Sequence, residues 1–230
     1  MTDSLVANPD SRAITVWSDI GCPWATLALT QLRRQITDHG ADLQIDHRAF
    51  PLEFFNKRPT PKPVTDSEIV AIAGLVDGLG WRPWAKPEWT FVSTTIPAME
   101  AVQAAKHQSV GGLRASDQLD AALRRAFYHD HTCISVIPLI LEVAGECAAL
   151  DVDRLTWGLR AGEGRWRLYD QWEVAQTPAI NCSPHVFLAD GRSYINPGAR
   201  YSWKGGAERG FPRLEQYSAD WARDLVVSLT

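Results

Sequence analysis

Cys22 stands where a thiol can do chemistry. The segment around it reads Ile14-Thr-Val-Trp-Ser-Asp-Ile-Gly-Cys22-Pro23-Trp24-Ala25. A β-rich run ends at Ile20, a glycine follows, and a Cys-Pro pair opens an amphipathic stretch. That order predicts a thiol at the start of a helix, where unpartnered N–H groups and the helix dipole favour an anion. A thiolate held there is a nucleophile at neutral pH. A dithiol redox pair would have its second cysteine at position 25, which is Ala25. The chemistry implied is that of a thiol without a local resolving partner.

The other three cysteines, Cys133, Cys147 and Cys182, form no local pairing motif with it. Cys133 and Cys147 flank an expected helix of about 12 residues. At about 1.5 Å rise per residue they stand about 20 Å apart along its axis and read as structural. The six histidines show no zinc-type spacing with the cysteines, and His129 and His131, two apart, would not share a helix face, so no metal is expected. No Gly-rich phosphate motif is present. Ten tryptophans stand in the chain, three of them (Trp81, Trp84, Trp89) in a Pro-rich stretch. They read either as core and surface aromatics or as the wall of a groove for a flat or apolar ligand.

The 230 residues carry a formal charge of −4 with 45% hydrophobic and 22% charged residues. That balance leaves no electrostatic footprint for nucleic acid or an anionic membrane. No apolar run is long enough to span a bilayer, and the first ten residues have neither a basic nor an apolar signal region. A cytoplasmic protein is expected, in which a disulfide scaffold is not.

The elements that must position Cys22 follow from periodicity. Residues 14–20 read as a buried strand, 23–38 as a helix with Pro23 in its first turn, and 42–50 as a strand. This is a βαβ unit with parallel strands. Residues 51–63, with four prolines, read as a loop. The chain then turns helical to about residue 175: Thr65-Asp-Ser-Glu68 resembles a capping box opening a helix to about Leu79, and further helices are expected at 95–111, 115–128, 134–147, 151–159 and 162–176. His185 to Leu188 and Arg192 to Ile195 flank an Asp-Gly turn and read as an antiparallel hairpin. A final helix is expected within Gly206 to Leu229, with Leu214, Tyr217, Trp221 and Leu225 on one face. The fold class is α/β, arranged as βαβ, a helical block and ββα.

This arrangement, with Cys-Pro at the first helix start, resembles the thioredoxin fold with a large all-helical insertion. The insertion is similar to that of the DsbA-like branch, which includes FrnE-type oxidoreductases, 2-hydroxychromene-2-carboxylate isomerases and kappa-class glutathione transferases. The likeness is carried by Ser18-Asp-Ile-Gly-Cys-Pro-Trp24, His47-Arg-Ala-Phe-Pro-Leu-Glu53, Leu123-Arg-Arg-Ala-Phe-Tyr128 with Ile134-Ser135, and Cys182-Ser-Pro-His-Val-Phe187. It implies a tail at 1–13, a thioredoxin-like domain at 14–63 and 177–230, and an inserted helical domain at 64–176. Among subgroups the Ser-Pro-His-Val-Phe loop is similar to that of actinobacterial DsbA-like proteins, some of which use mycothiol; those carry Cys-Pro-Trp-Cys, and this chain departs at Ala25.

The resemblance implies a catalytic Cys22, with Pro23, Trp24, Ser183 and Pro184 as substrate-binding residues. Pro184 would be the superfamily's cis-proline, on a loop opposite the cysteine; Thr177-Pro178 competes but does not directly precede a strand. Cys182 then becomes a possible second thiol, pairing with Cys22 if their Cα atoms come within about 7 Å. Ser18 and Asp19 flank the nucleophile, His185 is a candidate acid–base partner, and Arg48 and Asn56 are candidates for holding a substrate carboxylate. The expected activity is monothiol thiol–disulfide exchange with a small thiol or disulfide-bearing substrate. No cofactor is expected to bind tightly; glutathione or mycothiol is the expected small thiol. The alternatives are a transferase or isomerase in which Cys22 positions a bound thiol, or an inactive binding protein. Monomer and homodimer stay open.

Overall fold

The structure is a computed structural model that describes residues 4–206 and 209–230. Its centre is a four-stranded sheet in the order β2-β1-β3-β4. β1 (Ala13–Ser18) is buried along its whole length, because helices cover both faces of the sheet there. Ile14 and Val16 face one way into a core with Leu29, Leu32, Val186 and Leu225. Trp17 faces the other way, with Phe50 and Phe187. One residue of slip would exchange these two sets, so the register is well specified. β2 (Gln44–Ala49) runs parallel to β1, with Val16 opposite His47. β3 (His185–Phe187) runs antiparallel to β1 and pairs with β4 (Ser193–Ile195).

α1 (Pro23–Asp38) links β1 to β2, and its proline fills the first turn, where an N–H would have no helical partner. α9 (Asp220–Val227) packs beside it and closes the ββα half. Between the halves lie α2 (Leu52–Asn56), α3 (Lys62–Ala73), a 3-10 turn at Glu88–Thr90, α4 (Ile96–Ala105), α5 (Gly112–Tyr128), α6 (Ile137–Ala144), α7 (Val152–Ala161) and α8 (Glu163–Ala175). These helices share their own core around Met99, Leu119, Leu123, Ile140 and Leu168. α4 and α8 approach closely at Gly164, where a Cβ would meet the Glu100 carbonyl oxygen at 1.9 Å. No helix among the described residues is long and apolar enough to cross a membrane.

Three expectations are corrected. Residues 51–63 are not all loop, since α2 forms one short turn there. α3 begins at Lys62 rather than at a capping box on Thr65; Pro63 sits in its first turn and the Thr65 side chain is buried. The tail is not simply helical: β5 (Ala199–Lys204) and β6 (Phe211–Tyr217) form an antiparallel ribbon before α9. Leu214 and Tyr217 are therefore strand residues. Their spacing with Trp221 and Leu225 imitates a helix, and β6, unlike the strictly alternating β5, shows no period of two to oppose that reading. Pro212 fits because it lies on an edge. Ala207 and Glu208, within the stretch expected to be helical, lie outside the described residues, as do residues 1–3 of the expected tail.

Candidate active site

Four elements meet around Cys22: the start of α1, the loop before β3, α3 and the β5–β6 ribbon. Cys22 is the N-cap of α1 in extended conformation, and its carbonyl accepts from the Thr26 amide at 3.1 Å and hydroxyl at 3.0 Å. Its approach is set by Asp19, whose carboxylate accepts from the Gly21 amide at 2.7 Å, the Thr95 hydroxyl at 2.8 Å and the Leu52 amide at 2.8 Å. Position 21 is tight: a Cβ there would press on the Thr95 methyl at 3.0 Å and on Asp19 Oδ1 at 3.3 Å. From beneath, the buried Arg124 of α5 donates to the Asp19 carbonyl at 3.1 Å, Thr26 Oγ1 at 2.8 Å, Ser18 Oγ at 2.9 Å and Asp120 at 2.8 Å. The Tyr128 hydroxyl donates to the Ile20 carbonyl at 3.0 Å. The insertion thus holds the cysteine turn from below.

The Ser183–Pro184 peptide is cis, and its loop lies against the thiol. Cys22 Sγ donates to the Ser183 carbonyl at 3.2 Å, and Ser183 Oγ accepts from the Asp19 amide at 2.9 Å. Trp24 donates from its indole N–H to Glu68 Oε1 at 2.8 Å, while its ring stacks on Tyr201 with centroids 4.0 Å apart and planes 10° apart. A cleft of about 390 Å³ opens over this group, lined by Cys22, Trp24, Phe50, Phe55, Asn56, Glu68, Cys182, Ser183, Tyr201 and Trp203 among others. No Lys, Arg or His is among its described lining residues.

A helix start lowers a thiol pKa, but Cys22 is only 6% exposed here. Burial, and next the Glu68 carboxylate, push it up to about 12, against the opposing pull of the Ala25 N–H. This corrects the expectation of a free thiolate: with the ribbon seated, desolvation outweighs the helix terminus. Glu68 is itself pushed up to about 7 by burial, with the Trp24 N–H pulling the other way.

The cleft brings together Cys22, Trp24, Ser183, Cys182 and Asn56, whereas Pro23 is buried in the first turn of α1. All four cysteines are free, and Cys182 Sγ donates to the Pro184 carbonyl at 3.1 Å. Other candidates lie elsewhere. His185 is buried against Phe187, accepts from the Asn181 amide at 3.3 Å, and is pushed down to about 4 by burial. Arg48 pairs with Asp46 at 2.9 Å. Trp81 packs on Tyr128 and Trp84 on Phe91, while Trp89 is 87% exposed. The aromatic wall is instead Trp24, Phe50, Phe55, Tyr201 and Trp203. Among the described residues no group of three or more His, Cys, Asp or Glu could hold a metal ion. Glu68, Tyr201, Trp203 and Arg124 escaped the sequence reading. Glu68 was absorbed in the apparent capping box, and the ribbon carrying Tyr201 and Trp203 was not foreseen.

No protein-family model and no curated protein sequence matches the chain. Solved structures do. A probable DsbA oxidoreductase from Streptomyces coelicolor is 15% identical with a TM-score of 0.61, covering 94% of this chain and 89% of its own. The cytosolic disulfide reductase DsbM from Pseudomonas aeruginosa with GSH is 16% identical with a TM-score of 0.59, covering 94% and 98%. A 2-hydroxychromene-2-carboxylate isomerase is 14% identical with a TM-score of 0.54, covering 79% and 87%. At such identities the likeness is one of fold. The chain has the thioredoxin fold of the DsbA-like type, with its helical insertion.

Proposed function

We propose that the protein is a cytoplasmic thiol–disulfide oxidoreductase acting through the single nucleophile Cys22. The observation that carries this reading is the thiol at the N-cap of α1, 3.2 Å from the Ser183 carbonyl, at the floor of an aromatic cleft. The Cys22 thiolate attacks a substrate disulfide, forms a mixed disulfide and releases one substrate thiol. With Ala25 at the next turn, a second small thiol then attacks the adduct and frees Cys22. Glutathione and mycothiol are the small thiols proposed; the structural neighbour DsbM was solved with GSH. Trp24 and Ser183, which line the cleft, are proposed to contact the substrate, while Pro23 and the cis Pro184, both buried, are proposed to shape the turns that present it. Cys182, which lines the same cleft, is proposed as an internal resolving thiol if the two sulfurs meet during turnover.

Burial of Cys22, with its pKa pushed up to about 12, favours a second reading in which the residue positions a bound small thiol and exchanges no disulfide itself, as in a transferase or isomerase. Intact-mass analysis separates these readings. After exposure to glutathione disulfide, exchange predicts a Cys22 adduct that added thiol removes and that Cys22→Ser abolishes. A species two protons lighter, lost in Cys182→Ser, assigns resolution to Cys182. Thiol binding without any adduct supports the second reading and refutes exchange.

A further inference from the structure

Glu68 is the feature of the cleft that the exchange reading leaves without a role. It projects from α3 of the insertion and is 8% exposed. Among the described residues it accepts one hydrogen bond, from the Trp24 indole to Oε1. It lines the same cleft as Cys22, and its charge is the largest electrostatic influence on that thiol. The other titratable groups lining the cleft are Cys22, Tyr201 from β5 and Cys182 on the loop before β3; Asp19 acts on Cys22 from the α1 side, and Tyr217 of β6 lies in the adjoining apolar cluster. Burial raises Cys182, Tyr201 and Tyr217, which therefore stay protonated at neutral pH. No described cation lines the cleft to hold a second negative charge.

We propose that Glu68 is the proton acceptor for Cys22, so that inserted helix α3 supplies the base of the exchange reaction. This rests on the exchange reading above. The thiol and the carboxylate share one negative charge, because a carboxylate that takes the thiol proton removes its own repulsion of the thiolate. The steps balance. The Cys22 proton passes to Glu68, directly or through one water. The Cys22 thiolate attacks a substrate disulfide, forming one S–S bond as the other breaks. The departing thiolate takes the proton back from Glu68 and leaves as a thiol. When an external thiol resolves the adduct, its proton passes to Glu68, its thiolate attacks the substrate sulfur of the mixed disulfide, and Cys22 leaves as a thiolate that takes that proton from Glu68. The pKa of Glu68, about 7, suits a group that accepts and donates at neutral pH.

The test uses the full chain and bis(2-hydroxyethyl) disulfide, with Cys22 adduct formation followed by intact mass between pH 5 and 9.5. The wild-type rate should rise with an inflection near pH 7. Glu68→Gln keeps the shape and the acceptor for Trp24, and should lose that inflection and react at least about tenfold more slowly at pH 8. Trp24→Phe removes the N–H that lowers the Glu68 pKa, and should move the inflection to higher pH. A Glu68→Gln variant as fast as wild type at pH 8, or one that retains the inflection, overturns the proposal, because Glu68 would then act only as a repelling charge. An inflection unmoved in Trp24→Phe overturns it as well. No wild-type adduct at any pH overturns the exchange reading together with the proposal, whereas an adduct indifferent to Glu68 removes the proposal alone.

Discussion

Tyr201→Ala should unmask the Cys22 thiol. The Tyr201 ring lies 4.0 Å from that of Trp24 and forms part of the cleft wall over the cysteine. Burial is the largest cause of the rise in the Cys22 pKa from 9.0 to about 12. Removing one wall lets water reach the sulfur and relieves part of that rise. Below both values the thiolate fraction changes tenfold per pKa unit, so full relief is about a thousandfold and partial relief at least about tenfold. The assay is the rate of iodoacetamide alkylation between pH 6 and 9. Tyr201→Phe keeps the stacked ring and should react as wild type does, which separates uncovering from a change in the hydroxyl. A far-UV circular dichroism spectrum unchanged in Tyr201→Ala separates it from unfolding. A folded Tyr201→Ala variant alkylated at the wild-type rate at every pH would refute the argument that the ribbon masks the thiol.

Arg124→Met should destabilise the fold by about 3 kcal/mol or more, because it leaves Asp120 short of a buried partner and strips donors from the Asp19 carbonyl and Ser18; an unchanged urea midpoint would contradict this. Glu68 adds a pH dependence with a definite sign. Its folded pKa of about 7 exceeds the ordinary 4.5, so the folded state holds the proton more tightly. That contribution is full below pH 4.5 and is lost as pH rises through 7, amounting to about 3 kcal/mol. Glu68→Gln should therefore equal wild type in stability at pH 4 and exceed it at pH 8, as measured by urea unfolding at each pH.

Much of the framework was legible because local rules decided it. The buried β1, Pro23 in the first turn of α1, the parallel β2 and the Asp-Gly hairpin each follow from periodicity or turn chemistry within a few residues. α1 runs over Pro23–Asp38, the expected span, because an apolar face and an N-terminal proline agree there. The β5–β6 ribbon was not legible. β5 alternates Ala199, Tyr201 and Trp203 with Arg200, Ser202 and Lys204, but β6 has no such alternation, and the inward residues of both strands find their cover on Trp24 and α3, far away in the chain. For the same reason Glu68, written as a cap residue by its neighbours in the chain, acquires its place only when α3 docks 44 residues away from Trp24.

The sequence by itself determined that a lone cysteine would begin a helix and that no second cysteine would stand one turn on, since both are matters of residue type and local spacing. Tertiary structure alone decided the state of that cysteine. A pKa depends on water and charge within a few ångströms, and at Cys22 those are supplied by Glu68, Ser183 and Tyr201, which are distant in the chain and adjacent in the fold.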